Sequence, residues 1–231
     1  MKRMSTWIFR RVAARAGLLI GALALAGCDD VAGGALFDPR APAQVRVVHD
    51  TIAIVGPAGF CIDPRETRDG RDGAFVLLAG CASITRSPRQ PKPGVSAILT
   101  ATVAGEESSR TIAGSTGRLK TFFTSSAGRA ALSRSGKADS VKVLETAARK
   151  GVFYIHARDS SGGARAGAGA DYWRAMLDVG GRIVSVSLLA VDDHPVAGDE
   201  GFATLQSFVG RIRAANRPDP AAKGSAPLPA S

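Results

Sequence analysis

The chain has 231 residues, enough for one domain with its own hydrophobic core. A hydrophobic content of 45% with 22% charged residues is typical of a globular protein and not of a disordered one. The formal net charge is +10, but five basic residues and no acid fall in the first 27 residues, and residues 28–231 carry a net charge of +5. Residues 28–231 do not show the clustered basic residues of a nucleic-acid-binding protein, so no nucleic-acid partner is expected.

The first 28 residues have the pattern of an export signal. Basic residues, among them Arg10 and Arg11, precede the apolar run 16–27, which at about a dozen residues is shorter than the about 20 that a membrane-spanning helix needs. The run ends in L-A-G-C, which resembles the lipobox of bacterial lipoproteins. The resemblance implies a signal peptide over residues 1–27 and lipidation, with fatty acids such as palmitate, at Cys28. A plain signal peptide with a chance cysteine is the alternative, and the two arginines leave twin-arginine export open beside the general route.

Residues 28–44 are rich in Gly, Pro and Asp, which predicts a flexible tether. Asp29 directly follows the lipidated position and resembles the signal that retains lipoproteins of enteric type in the inner membrane. We therefore expect a lipid-anchored protein of the bacterial cell envelope that faces the periplasm, with the inner membrane favoured over the outer one.

The stretch from residue 51 to residue 84 contains two apolar runs around a charged turn, and each run carries one cysteine, Cys61 or Cys81. The run Ala74–Ile84 is almost uninterrupted in its apolarity, which predicts a strand covered on both faces. Two Asp-Gly dipeptides between the runs predict a turn. We predict the inner hairpin of an antiparallel sheet, joined by a Cys61–Cys81 disulfide that an oxidising periplasm permits. Two free buried thiols are the alternative.

The rest of the chain predicts strands first, then a helix, two hairpins and a closing helix. The predicted strands before the helix are 45–49, 51–55 and 95–103, and the helix spans 116–135 and is ended by Gly136. The first hairpin consists of 141–146 and 151–157 and turns through 148–150, and the second consists of 171–179 and 182–191 around Gly180-Gly181. The closing helix is capped by Asp199 and has an apolar stripe of Phe202, Leu205, Val209 and Ile212. This order predicts an α+β fold, an antiparallel sheet with flanking helices. A single domain over residues 45–216 is expected, followed by a disordered tail at 217–231.

Two stretches carry a resemblance to known families. D-Y-W-R-A-M-L-D-V-G-G-R-I-V-S-V-S-L-L-A-V-D-D, with the later helix end R-I-R-A-A-N, is similar to the C-terminal part of PsbP-like domains, and the similarity of pattern extends over residues 45–216. G-F-C-I-D-P with F-V-L-L-A-G-C resembles a family of uncharacterised proteobacterial lipoproteins. The PsbP-like resemblance implies a sheet packed between helices and a binding or assembly role in place of catalysis.

The candidate chemical groups are three histidines that lie near acids in the sequence. They are His49 with Asp50, His156 with Asp159, and His194 with Asp192 and Asp193. Such groups could ligate a metal or activate a hydroxyl, but neither a G-x-S-x-G elbow nor an H-E-x-x-H motif is present. We therefore expect no catalytic residues, metal or cofactor, and predict a non-catalytic binding or assembly factor with an envelope protein as its partner. The alternative is a small envelope hydrolase or metal-binding protein that uses His and Asp, which requires the histidines to converge.

Overall fold

The computed structural model describes residues 41–161, 169–191, 196 and 198–218, and every strand pairing among them is antiparallel. The strands are β1 (Gln44–Val47), β2 (Ile52–Val55), β3 (Phe60–Ile62), β4 (Arg68–Gly70), β5 (Gly73–Gly80), β6 (Ala97–Ala104), β7 (Val141–Arg149), β8 (Val152–Asp159), β9 (Asp171–Val179) and β10 (Arg182–Ala190). The helices are α1 (Cys81–Thr85), α2 (Thr116–Thr124), α3 (Ser126–Leu132) and α4 (Gly198–Ala215). The predicted α+β class, an antiparallel sheet with flanking helices, is confirmed.

Eight strands form the main sheet. Seven of them follow the order β3-β5-β6-β10-β9-β8-β7. The eighth, β4, lies beside β3 on the same edge of β5: β3 pairs with the end of β5 and β4 with its start. The strands β1 and β2 form a separate two-stranded sheet. The hairpin of β9 and β10 is confirmed at its predicted place, with Val184 opposite Leu177 and Val186 opposite Ala175. Its turn residues, Gly180 and Gly181, have φ angles of +55° and +77°, which residues other than glycine rarely adopt.

Alternate residues of the strands form two faces of the main sheet, and the first face carries the larger core. Leu78, Leu99 and Val186 on this face are fully buried. They belong to one apolar cluster with residues of β1, β2 and α4, which cover the face. The sheet therefore buries this face as a two-layer structure does, with period-two apolar residues beneath a helix.

Helix α4 buries the predicted apolar stripe against this core. Leu205, Val209 and Ile212 are buried and Phe202 is partly buried, as predicted, and Phe208 joins them with no exposed surface. The helix begins at Gly198, so Asp199 is not its cap but lies in the first turn, where a carboxylate still interacts favourably with the helix dipole.

Helices α2 and α3 cover part of the second face of the sheet. Phe123 of α2 and Leu132 of α3 pack with Phe153 and Ile155 of β8 and with Tyr172 of β9 in a second apolar cluster. The Tyr172 hydroxyl donates a hydrogen bond of 2.9 Å to the Leu132 carbonyl, so its polar end is satisfied where its ring is buried.

The predicted hairpin over residues 51–84 is wrong in three respects. Strand β2, inside the first apolar run, pairs with β1 in the small sheet, so the short strand β3 is the only part of that run that pairs with β5. The second run is a strand as far as Gly80 and then the short helix α1. The strand was also predicted to be covered on both faces, whereas buried and partly exposed residues alternate along β5.

The predicted single helix over 116–135 is two helices. Ser125 has extended backbone angles (φ −74°, ψ 166°), and its hydroxyl accepts a hydrogen bond from the Gly128 N–H as the N-cap of α3. The Thr-Ser-Ser run that would lie in mid-helix therefore ends one helix and begins the next. Helix α3 ends at Leu132, so Gly136 is not a helix cap, although its φ of +72° places it in a turn.

Strands β7 and β8 are joined by a tighter turn than predicted. Lys150 and Gly151 both have positive φ angles, +50° and +71°, and form a two-residue turn. The strands therefore continue up to Arg149 and from Val152, beyond the limits that the sequence predicts.

Several predictions lie outside the described residues. These are the signal peptide at 1–27, the tether except for residues 41–44, and the tail except for residues 217 and 218. Within the described ranges, no helix combines the length and the apolarity needed to cross a membrane.

Candidate functional site

The predicted Cys61–Cys81 disulfide is present. The sulfur atoms are 2.06 Å apart and the Cα atoms 4.8 Å apart. Cys61 lies on the edge strand β3 and Cys81 is the first residue of α1, and both are buried. The disulfide thus fastens an edge strand of three residues to the element that follows β5. The predicted lipid-bearing residue, Cys28, lies outside the described residues.

The structure describes two of the three candidate histidines and places them on different elements. His49 is exposed in the turn between β1 and β2, where its φ is +56°, and His156 lies on β8. His194, Asp192 and Asp193 lie outside the described residues. Within the described ranges, no group of three or more His, Cys, Asp or Glu side chains is placed to hold a metal ion.

His156 is part of an aromatic cluster on the first face of the sheet. Its ring is stacked on Trp173 with the centroids 4.2 Å apart, and Trp173 lies 4.9 Å from the ring of Phe202. Burial lowers the pKa of His156, and the charges of Asp171 and Glu145 offset this effect only in part. The ring is therefore neutral at neutral pH and packs as an aromatic group.

Asp159, the acid expected beside His156, is on the opposite face of β8, because residues three apart on a strand point to opposite sides. Its buried carboxylate accepts hydrogen bonds from the Arg134 N–H at 2.7 Å and from the Ser161 N–H and hydroxyl at 2.9 and 2.7 Å. Burial would raise the pKa of Asp159, but these hydrogen bonds outweigh it and lower the pKa to about 2. Asp159 therefore holds the residues after α3 and β8 together and is not paired with the histidine.

The second face of the sheet continues beyond the part that α2 and α3 cover. The core beneath those helices is built from β7, β8 and β9, with Ile183 and Leu189 of β10 at its margin. Eleven second-face positions on β5, β6 and β10, here called the uncharged face, are Phe75, Leu77, Ala79, Ile98, Thr100, Thr102, Ala104, Ile183, Ser185, Ser187 and Leu189. Thr102 is exposed, Ser187 is buried, and the other nine are partly exposed.

None of these eleven positions carries an ionisable side chain. A solvated face of an antiparallel sheet is ordinarily polar, whereas the centres of protein–protein interfaces are depleted in charged residues. Phe75, Leu77 and Ile98 add partly exposed apolar surface on two neighbouring strands, and contiguous apolar surface that reaches solvent can mark an interaction site. The geometry therefore suits the binding of another molecule on this face of the sheet.

Comparisons with family models, with curated proteins and with solved structures find no match to this chain. The resemblance to PsbP-like domains and to proteobacterial lipoproteins therefore stays a prediction.

Sequence reasoning missed the uncharged face. The unbroken apolarity of Ala74–Ile84 was its signal, but that pattern was assigned to burial on both sides. Alternation in the neighbouring strand β6 (A-I-L-T-A-T-V-A), where Thr and Ile take the positions between buried residues, indicates one open face.

Proposed function

We propose that the protein is a lipid-anchored lipoprotein of the bacterial cell envelope, exposed to the periplasm, that acts as a non-catalytic binding or assembly factor. The observation that carries this proposal is the uncharged face: eleven neighbouring sheet positions without an ionisable group, with apolar side chains partly exposed among them. We propose that an envelope protein with a complementary apolar surface docks on this face.

The chemistry of the face favours a protein over other partners. An anionic membrane surface or a nucleic acid would be bound by cations, and none of the eleven positions supplies one. Aromatic and aliphatic anchors such as Phe75 and Leu77, surrounded by small hydroxyl residues, provide the desolvated centre around which protein interfaces form.

The proposed location in the cell envelope is supported by two features of different kinds. The L-A-G-C sequence ending at Cys28 supports lipidation, with Asp29 favouring the inner membrane, and the Cys61–Cys81 disulfide is of a kind that persists in an oxidising compartment. The carbonyls of Pro42 and Ala43 already accept hydrogen bonds from the domain. Residues 28–41 could therefore separate it from its anchor by up to about 50 Å if fully extended, which gives the sheet access to a membrane-bound partner.

Photo-crosslinking in living cells tests the docking surface. A photoreactive residue at Thr102, the exposed position of the uncharged face, should yield one defined adduct with another envelope protein, and the second substitution Leu77→Arg should abolish it. The same probe at Thr121, exposed on α2, is the matched control and should not yield this adduct. An adduct with a second copy of the chain, or a crosslink within the chain itself, would replace the partner that we propose, and equal adducts from both positions would contradict a specific surface.

Fractionation tests the anchor separately. Cys28→Ala should move the protein from the membrane fraction to the soluble fraction, because the variant cannot carry the lipid. Retention of the variant in membranes after a high-salt wash would contradict lipidation at Cys28.

Complementation of a deletion strain distinguishes a non-catalytic binding role from the alternative, a hydrolase or metal-binding protein that uses His and Asp. His49→Ala, His156→Ala and His194→Ala should each restore a deletion strain as well as the natural chain does. A variant that is folded and abundant but fails to complement would favour the hydrolase or metal-binding function instead.

A further inference from the structure

A small recess lies at the border between the uncharged face and the part of the sheet covered by α3. It has a volume of about 180 Å³. Its lining residues are Thr100, Leu132, Arg134, Tyr172, Arg174, Ser187 and Leu189. The recess is below the roughly 300–1,000 Å³ of a drug-sized ligand site, so it suits a small group.

The side chain of Arg174 is held inside this recess. Arg174 lies on β9 directly opposite Ser187 of β10, and its Nε donates a hydrogen bond of 3.1 Å to the Ser187 hydroxyl. Its guanidinium is 5.8 Å from the centroid of the Tyr172 ring. Burial lowers the pKa of Arg174, but a guanidinium keeps its proton at any physiological pH. The protein therefore maintains a fixed positive charge in a partly desolvated position.

This charge has no carboxylate partner in the described part of the chain, where the ion pairs are Asp63 with Arg65 and Asp171 with Arg158. Neither Nη group of Arg174 makes a hydrogen bond to a described residue, and neither is sealed from solvent. A partly buried cation is ordinarily paired, because withdrawing an unpaired charge from solvent is costly. Two free donors of a planar fork, aimed into a recess, are the arrangement that recognises an oxyanion.

The other groups in the recess favour a phosphate group over a single carboxylate. Arg134 brings a second guanidinium to the wall, held by a hydrogen bond of 2.5 Å from its Nη2 to the Gly169 carbonyl. The Ser187 hydroxyl accepts a hydrogen bond from Arg174, so its own O–H can donate to a ligand. Thr100 lies directly opposite Ser187 on the neighbouring strand β6. The Arg174 fork and two neighbouring hydroxyl donors match the several acceptor oxygens of a phosphate better than the two of a carboxylate.

We propose that this recess binds a phosphate or phosphomonoester group, with Arg174 as the principal contact and Ser187 and Thr100 as further donors. Leu132 and Leu189 supply apolar wall for the first carbon atoms of an ester. The inference goes beyond the proposed function, since it depends neither on the lipid anchor nor on a protein partner.

Titration of the full chain in mild detergent, at constant ionic strength, tests the proposal. The probes are inorganic phosphate, butyl phosphate and butyrate. Inorganic phosphate should bind with a measurable Kd, Arg174→Gln should weaken binding at least tenfold, and Arg174→Lys should weaken it as well because an ammonium cannot form the fork. Arg118→Gln, which removes one exposed arginine from α2, is the matched control for net charge and should bind as the natural chain does.

The probes also distinguish the source of the group. Tighter binding of butyl phosphate than of inorganic phosphate would identify an ester that uses the apolar wall, and equal binding would identify free phosphate. Butyrate bound as tightly as butyl phosphate, or phosphate affinity unchanged in Arg174→Gln, would overturn the proposal.

Thermal unfolding distinguishes ligand binding by Arg174 from a purely structural role of this residue. Without phosphate, Arg174→Met should be as stable as the natural chain or more stable, because an unpaired charge is replaced by an apolar chain. With phosphate, the natural chain should gain stability and the variant should not. If Arg174→Met lowers the melting temperature strongly, or both proteins respond to phosphate equally, the assignment is wrong. Thr100→Val, which leaves Arg174 intact, should weaken phosphate binding several-fold.

Discussion

Asp159 offers the sharpest test of how this fold is held together. Its carboxylate is fully buried and accepts three hydrogen bonds, from the Arg134 N–H, the Ser161 N–H and the Ser161 hydroxyl. Its pKa of about 2 is nearly two units below the ordinary value of 3.8. At 1.36 kcal/mol for each unit, the carboxylate stabilises the folded state by about 2 kcal/mol relative to the protonated acid.

Asp159→Asn should therefore destabilise the protein by at least about 2 kcal/mol at pH 7, since an NH₂ group would replace an oxygen that faces an N–H donor. For a domain of this size we expect the melting temperature to fall by about 4–8 °C. Asp171→Asn is the matched control. It breaks a bidentate ion pair with Arg158 whose side chains are 40% and 57% exposed, and it should cost below about 1 kcal/mol.

The pH dependence provides a second, independent readout. The folded pKa of Asp159 lies below its unfolded value, so the stabilisation is complete above about pH 4 and is lost as the pH falls towards 2. Urea unfolding at pH 7, 5, 4 and 3 should show the gap between the natural chain and Asp159→Asn narrowing below pH 4. Equal losses for Asp159→Asn and Asp171→Asn at pH 7, or a gap that does not narrow in acid, would refute this reasoning.

Two further predictions concern other links in the fold. The disulfide joins residues 20 apart in the sequence, so replacing both Cys61 and Cys81 with Ala should lower the free energy of unfolding by about 3 kcal/mol. The melting temperature should fall by about 6–12 °C, but the protein should still fold. Cysteines that react with an alkylating agent in unreduced periplasmic material would contradict the disulfide. Asn216 joins the end of α4 to β2, because its side chain accepts from the Ala53 N–H at 2.8 Å and donates to the Ala53 carbonyl at 2.7 Å. Asn216→Ala should therefore cost about 1–3 kcal/mol in urea unfolding, whereas Gln206→Ala, at an exposed position of the same helix, should stay within about 0.5 kcal/mol; equal losses would contradict this link.

Local signals in the sequence predicted the elements that depend on local chemistry. Gly180 and Gly181 set the tight turn of one hairpin because only glycine adopts such φ angles readily, and the two strands follow from period-two apolarity. The stripe of Leu205, Val209 and Ile212 predicted α4 and its buried side in the same way.

The recess around Arg174 could not be predicted in this way, because it depends on which strands become neighbours. Arg174 occupies an ordinary outward position in the alternating pattern of its strand. It becomes a recessed charge because Ser187 lies opposite it and because Tyr172, two residues before it, is tied to the end of α3 through the Leu132 carbonyl. An apolar residue on an open face is likewise indistinguishable in sequence from one on a buried face, which is why β5 was predicted to be covered on both sides.

Leu77 and Leu78 allow that ambiguity to be resolved by experiment. They are adjacent on β5, with Leu78 fully buried on the first face and Leu77 partly exposed on the uncharged face. Threonine keeps the preference for a strand at both positions. Leu78→Thr should cost about 3 kcal/mol or more in urea unfolding, because it removes buried apolar volume and buries a hydroxyl, whereas Leu77→Thr should cost below about 1 kcal/mol.

The same pair of variants tests what the exposed leucine is for. If Leu77 serves an interface, Leu77→Thr should weaken the adduct formed from Thr102 while leaving stability almost intact, since its apolar surface contributes to binding and little to folding. A loss of stability as large as that of Leu78→Thr would mean that Leu77 belongs to the folding core. The apolarity of the face would then be explained by folding alone, and the argument for a docking surface would lose its main support.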